Sequence, residues 1–300
     1  MDIDRVELAF DPESLRVLEI ILGLVMFGVA LNLRVEDFVR ILRRPRAPLV
    51  GVLAQFVLLP GVTFGATLLL DVPASIALGM IMVAACPGGN VSNFITHYGR
   101  GDTATSVSMT AISTTAAIVM MPLNFELWGG LHPTGSALLS EIALSPWTML
   151  RGVFILLGIP LVTGMLVARF FPRVAKKLER PFSILSLAFF AVFVIVAFIN
   201  NRHVFLVAIG YVLVPVFVMN ALALSVGYGM AKLARLSVPE CRAVSVEVGI
   251  QNSGLALVLI FAFFGGRGGL AAVAAWWGIW HILAGLSVAT VWRKRDRARA

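Results

Sequence analysis

Apolar residues run along this chain in long blocks, each closed by a few polar or basic positions. Blocks of that length predict helices that cross a bilayer, which takes about 20 apolar residues apiece. Nine spans can be laid down, at about 15–33, 47–70, 73–98, 103–125, 146–169, 181–200, 204–231, 239–264 and 269–292. Two of them are interrupted by polar, glycine-rich stretches. The third contains Cys86-Pro87-Gly88-Gly89-Asn90-Val91-Ser92-Asn93, and the eighth contains Glu247-Val248-Gly249-Ile250-Gln251-Asn252-Ser253-Gly254. Lipid cannot hydrogen-bond loose backbone, so unwound chain at membrane depth is stable only where it lines a cavity within protein. One broken helix in each half of a chain points to a transporter whose site lies where discontinuous helices cross.

Composition sharpens this picture. The chain is 59% hydrophobic and 13% charged, whereas soluble domains carry about 25% charged residues. The net charge of +8 reflects membrane topology and calls for no nucleic-acid partner. In a nine-span arrangement 19 of the 24 basic residues fall on one side, in segments 34–46, 99–102, 169–180, 232–242 and the tail after 292. The positive-inside rule then places the C-terminus in the cytoplasm and the N-terminus outside, and the expected location is the cell's inner (plasma) membrane. The long outer connection, about 126–145, carries Glu126 and Glu141 and no basic residue. The acidic N-terminus lacks the cationic start of a cleaved signal peptide. With these directions spans 1–4 and 6–9 run oppositely and the broken spans match in place. The expected fold is therefore an all-α polytopic membrane protein with inverted-topology repeats and two broken, crossing helices.

Glu247 is the most expensive residue to place. A carboxylate at membrane depth costs several kcal/mol unless paired, hydrated or bound to a cation, and no Lys or Arg lies at its depth. Gln251, one helical turn on if that stretch is helical, would share its face. Carboxylate, amide oxygen and freed carbonyls are hard oxygen donors, suited to hard cations. The alternative is a carboxyl group hydrogen-bonded to a neighbouring helix. Ser92 and Asn93 follow the first break, and Ser106 and Thr110 share a face of the next span. Each can instead bond back to its own helix. Gln55, before Pro60, is a similar case. His281 is either a satisfied interior histidine or a substrate contact. Trp276, Trp277 and Trp280 read as packing or interface residues. Nothing resembles a nucleophile with a base, a phosphate loop or a Cys/His metal motif, so the chain reads as no enzyme.

These stretches resemble the bile acid:sodium symporter family. The resemblance rests on Gln55-Phe56 with Pro60, the run from Cys86 to Asn93, Gly101-Asp102 with Ser106 to Thr110, the run from Glu247 to Gly254, and Trp280-His281. It covers nearly the whole chain as one transporter domain. It implies a core (about 47–125 and 204–292) moving against a panel (about 15–33 and 146–200). It also implies two sodium ions as coupling ions, with no other cofactor. One sodium site would use Ser92, Asn93, Ser106, Thr110 and Glu247. The other would use Gln55, Glu247, Gln251 and the carbonyls of Val248 and Ile250. Asn90, Asn252 and His281 would face the substrate. Asn90, Ile250 and Ile282 depart from the commoner family pattern. The expected function is sodium-coupled import of a small organic anion, bile-acid-like or a small carboxylate, by alternating access. Its rivals are a proton-coupled or sodium-independent exporter on the same fold and a channel- or receptor-like membrane protein.

Overall fold

The computed structural model describes residues 3–4, 12–142, 145–200 and 202–299. The chain forms α1 (Pro12–Leu31), α2 (Val35–Arg43), α3 (Arg46–Leu69), α4 (Ala74–Ala85), α5 (Asn90–Tyr98), α6 (Thr103–Leu131) and α7 (Gly135–Ile142). It continues with α8 (Pro146–Phe170), α9 (Pro172–Asn200), α10 (Arg202–Leu233), α11 (Val238–Gly249), α12 (Ser253–Phe264) and α13 (Gly268–Arg299). Among the described residues five of these, α3, α6, α8, α10 and α13, are long and apolar enough to cross a membrane, and α4 and α12 are shorter apolar helices. The protein is an all-helical, multi-pass membrane protein.

Local chemistry explains the boundaries. The Asp102 side chain accepts the Thr105 N–H and starts α6, and Ser145 does the same for α8 through Thr148, with Pro146 in the first turn. Ser237 and Glu240 form a reciprocal capping box at the start of α11, satisfying amides that the first turn leaves unpaired. Gly265, at φ 59°, adopts the left-handed conformation that closes α12. Pro60 and Pro160 each follow a π turn, Ala54–Leu58 and Phe154–Gly158. There the amides of Leu59 and Ile159 bond five residues back, to Ala54 and Phe154. Widening the turn absorbs the hydrogen bond that proline removes.

Two stretches expected to be loops are partly helical. The basic segment after Leu31 contains α2, and the outer connection contains the end of α6 and all of α7. Such short helices at span ends leave no long apolar block to read.

Helices pack in two sets. Helix α1 lies chiefly against α8 and α9. In the larger set α4 packs on α13, α3 and α6, and α10 packs on α11 and α13. Close approach depends on missing side chains. A Cβ on Gly79 of α4 would stand 2.9 Å from Leu270 Cα on α13, and one on Gly227 of α10 would stand 2.8 Å from the Val244 carbonyl oxygen on α11. Small residues let helices meet where lipid gives no hydrophobic push. The larger set is also tied at its ends. The Arg242 guanidinium grips Asp296 with two bonds of 2.7 Å and donates to the Gly99 carbonyl at 3.0 Å. At the opposite end Arg267 pairs with Glu141 and donates to the Asp4 carbonyl, while Asp4 accepts the Ser75 N–H near the start of α4.

Candidate functional site

Two breaks define the site. Helix α4 stops at Ala85, because Pro87 lacks an N–H and would clash with the preceding turn. Cys86 is extended (φ −69°, ψ 155°), and so is Gly89 (φ −110°, ψ 162°) before α5 begins. Helix α11 stops at Gly249, and Ile250 is extended (φ −117°, ψ 93°) before α12 begins. The two extended stretches run antiparallel and share main-chain bonds, Asn252 N–H to the Pro87 carbonyl at 2.9 Å and Gly89 N–H to the Ile250 carbonyl at 3.3 Å. Each break thus satisfies backbone groups of the other, which meets the demand that lipid imposes.

Glu247 lies at this crossing with no exposed surface. Its Oε2 accepts from Ser92 Oγ at 2.6 Å and Ser106 Oγ at 3.1 Å, and its Oε1 accepts from Thr110 Oγ1 at 2.7 Å. The hydroxyls come from α5 and α6, so α11, α5 and α6 converge on one carboxylate. Acceptors outnumber protons here. Ser92 Oγ is also 2.6 Å from the Gly89 carbonyl oxygen. Thr110 Oγ1 is also 3.1 Å from the Ser106 carbonyl and 3.3 Å from Asn93 Oδ1. A hydroxyl has one proton to donate, so some of these oxygens face each other with lone pairs alone. A surplus of buried hard-oxygen lone pairs is the chemistry that accommodates a small cation.

A second polar group lies beside the first. Gln55 Nε2 donates to Gln251 Oε1 at 2.8 Å and to the Cys86 carbonyl at 2.7 Å. Gln251 Nε2 donates to Gln55 Oε1 at 3.2 Å and to the Val248 carbonyl at 2.6 Å. Gln55 sits in the π turn of α3, which joins a second unbroken helix, beside α6, to the crossing. The structure therefore gathers the residues expected at a site in two groups. Ser92, Ser106 and Thr110 bond the carboxylate, with Asn93 reached through Thr110, while Gln55, Gln251 and Val248 bond to one another and Ile250 holds Gly89. Gln251 does not share a helical face with Glu247, as the spacing suggested. The helix ends between them at Gly249, and a 3.6-residue period applies only to continuous helix.

Asn252 caps α12, its Oδ1 accepting the Leu255 N–H at 3.0 Å. The side chain of Asn90 lies outside the described ones. His281 is buried on α13 with its ring edge-on to Trp277 and its Nδ1 without a hydrogen-bond partner. Trp277 is buried and Trp280 packs on Phe217, in keeping with packing roles. Two supporting residues escaped the sequence reading, and Gly88 of the first break has a role besides interrupting the helix. Asn220 on α10 donates to the Gly249 carbonyl at 2.8 Å, and Ser245 donates to the Leu224 carbonyl at 2.8 Å. Gly88 is needed because any Cβ there would collide with Glu247 Oε1. The available signal for Asn220 was a lone amide inside an apolar span.

A multi-pass helical protein with a carboxylate buried where two broken helices cross is the architecture of a secondary transporter. The chain belongs to the sodium bile acid symporter family, whose sequence model matches residues 19–208. An uncharacterized sodium-dependent transporter of Bacillus subtilis, YocS, is 33% identical over 93% of this chain and 84% of its own length. A probable chloroplastic sodium/metabolite cotransporter of rice, BASS2, is 31% identical over 91% of this chain and 63% of its own length. The human ileal sodium/bile acid cotransporter is 28% identical over 81% of this chain and 68% of its own length.

Proposed function

We propose that the protein is a sodium-coupled symporter that imports a small organic anion by alternating access, with two sodium ions bound at the crossing. The observation that carries this reading is the buried Glu247 carboxylate, ringed by three hydroxyls of which two, Ser92 and Thr110, each face more acceptor oxygens than they have protons. One ion takes Glu247, Ser92, Asn93, Ser106 and Thr110 as ligands. The other takes Gln55, Gln251, Glu247 and the carbonyls of Val248 and Ile250, for which the two glutamines release each other. Asn90, Asn252 and His281 face the anion, whose charge is favoured by the N-termini of α5 and α12. The two packing sets support a division into a moving core and a panel of α1, α8 and α9. The distribution of basic residues supports nine spans in inverted repeats, with the N-terminus outside and the C-terminus in the cytoplasm of a plasma membrane.

The relatives' names support this reading: sodium appears in each, with a metabolite or a bile acid as cargo in two of them. The test is uptake into proteoliposomes of a panel of carboxylates and bile salts, driven by inward sodium, potassium or proton gradients. Saturable uptake with sodium alone is the expected result. Uptake driven equally by a proton gradient would replace sodium with proton coupling.

A further inference from the structure

We propose that a cleft among α1, α8 and α9 binds the headgroup of a singly anionic, hydroxylated phospholipid in the leaflet facing the basic loops. The cleft encloses about 450 Å³. It lies where α1 ends at Leu31 and α8 ends at Phe170, and it is lined by Arg34, Arg169 and Lys176 together with Glu36 and Glu179. The first residue of α9, Pro172, also lines it, as does Glu36 at the start of α2. Helix N-termini favour an anion.

The three cations are unclaimed. Among the described residues, Arg34, Arg169 and Lys176 stand in no ion pair, unlike Arg242 and Arg267. Three cations and two carboxylates leave the cleft at +1, which matches one phosphodiester. The carboxylates then accept from hydroxyls on the headgroup. Leu31 and Ala175 make a buried apolar floor, which strengthens charge recognition by excluding water. Exposed apolar side chains lead from the mouth of the cleft along α8, at Phe170, Leu166, Val162 and Ile159. They offer acyl chains a track that a free phosphate would not need. Basic pockets between membrane helices at the headgroup level are a recurrent lipid site. Seated there, one lipid ties three helices of the smaller packing set together and to the surrounding bilayer.

The test is thermal unfolding of purified protein in a neutral detergent, titrated with phosphatidylglycerol, phosphatidylethanolamine, phosphatidylcholine or inorganic phosphate, with bound lipid counted by native mass spectrometry. Phosphatidylglycerol is expected to raise Tm by several degrees, and the other three by much less. Arg34→Gln/Arg169→Gln/Lys176→Gln should abolish the rise. A charge-matched control, Lys294→Gln/Arg295→Gln/Arg297→Gln in the tail, should keep it. Arg169→Gln alone should weaken lipid binding roughly fivefold, the effect of about one surface cation, and serves if the triple variant does not fold. An equal loss in the tail control would reduce the effect to general surface charge and overturn the proposal. An equal rise with inorganic phosphate, or with phosphatidylethanolamine, would overturn the lipid or its charge.

Discussion

Ser92 has one hydroxyl proton and two oxygens at 2.6 Å competing for it, the Gly89 carbonyl and Glu247. That competition sets what substitutions should do. In Glu247→Ala, Ser92 keeps Gly89 and Thr110 keeps the Ser106 carbonyl, so no buried charge is stranded and the protein should fold. Its sodium-dependent uptake should vanish, along with the rise in Tm that sodium gives wild type, since ligand stabilisation requires a site. A sodium titration overlaying wild type would remove Glu247 from the site. Gln251→Ala should weaken sodium less, because it deletes one neutral ligand. Gly88→Ala tests geometry without touching a ligand. The new methyl must push the carboxylate off its hydroxyls, and apparent sodium affinity should fall at least about tenfold, or ~1.4 kcal/mol. Unchanged affinity in that variant would mean that the carboxylate is free to shift.

At the scale of helices, contact is governed by glycine. Gly79→Ala and Gly227→Ala each drive a methyl toward backbone atoms that cannot rotate away. Overpacking of this kind costs about 1–3 kcal/mol, so each should lower Tm by several degrees in detergent, whereas Gly65→Ala, which meets nothing within 4 Å, should not. The link between α6 and α7 predicts a pH effect. His132 Nδ1 accepts the Gly135 N–H at 3.1 Å, and burial pushes the imidazole below its ordinary value. The folded state therefore favours the neutral ring. Its contribution is complete above about pH 6.5, the ordinary histidine value, and is lost as pH falls toward the lowered value. Thermal unfolding from pH 7.5 to 5.0 should show a steeper loss of stability in wild type than in His132→Asn. Parallel curves would assign the acid sensitivity elsewhere. The same scale shows what was readable from sequence. Ser92 stood out as a hydroxyl beside a break, and Ser106 and Thr110 as a pair four apart on one face of the next span. Gln251 would share the face of Glu247 only in continuous helix, and whether the helix continued was not legible from spacing; it ends between them at Gly249. The Arg242–Asp296 tie and the Asn220 support join residues far apart in the chain, and no local period encodes such pairs.

For the whole molecule the decisive quantity is charge moved per cycle. If two sodium ions enter with a monoanion, one net positive charge crosses. A potential of 100 mV, inside negative, then adds roughly 2.3 kcal/mol to uptake. Vesicles given a potassium-valinomycin potential should accumulate substrate faster than unpolarised ones. Indifference to the potential would require one sodium per monoanion, or a dianionic cargo.

The main-chain bonds between the breaks also bear on how the protein is made. Pro87 and Gly89 find their partners only when Asn252 and Ile250 have emerged. Roughly 160 residues separate the members of each pair, about 8–30 s of synthesis at ~5–20 residues per second. Until then the first break sits among membrane helices with its amide and carbonyl unanswered, and Ser92, Ser106 and Thr110 wait for a carboxylate not yet translated. The nascent first half is thus an intermediate with a polar wound at its centre. Its survival depends on retention beside the insertion machinery, or on water, until the second half closes it.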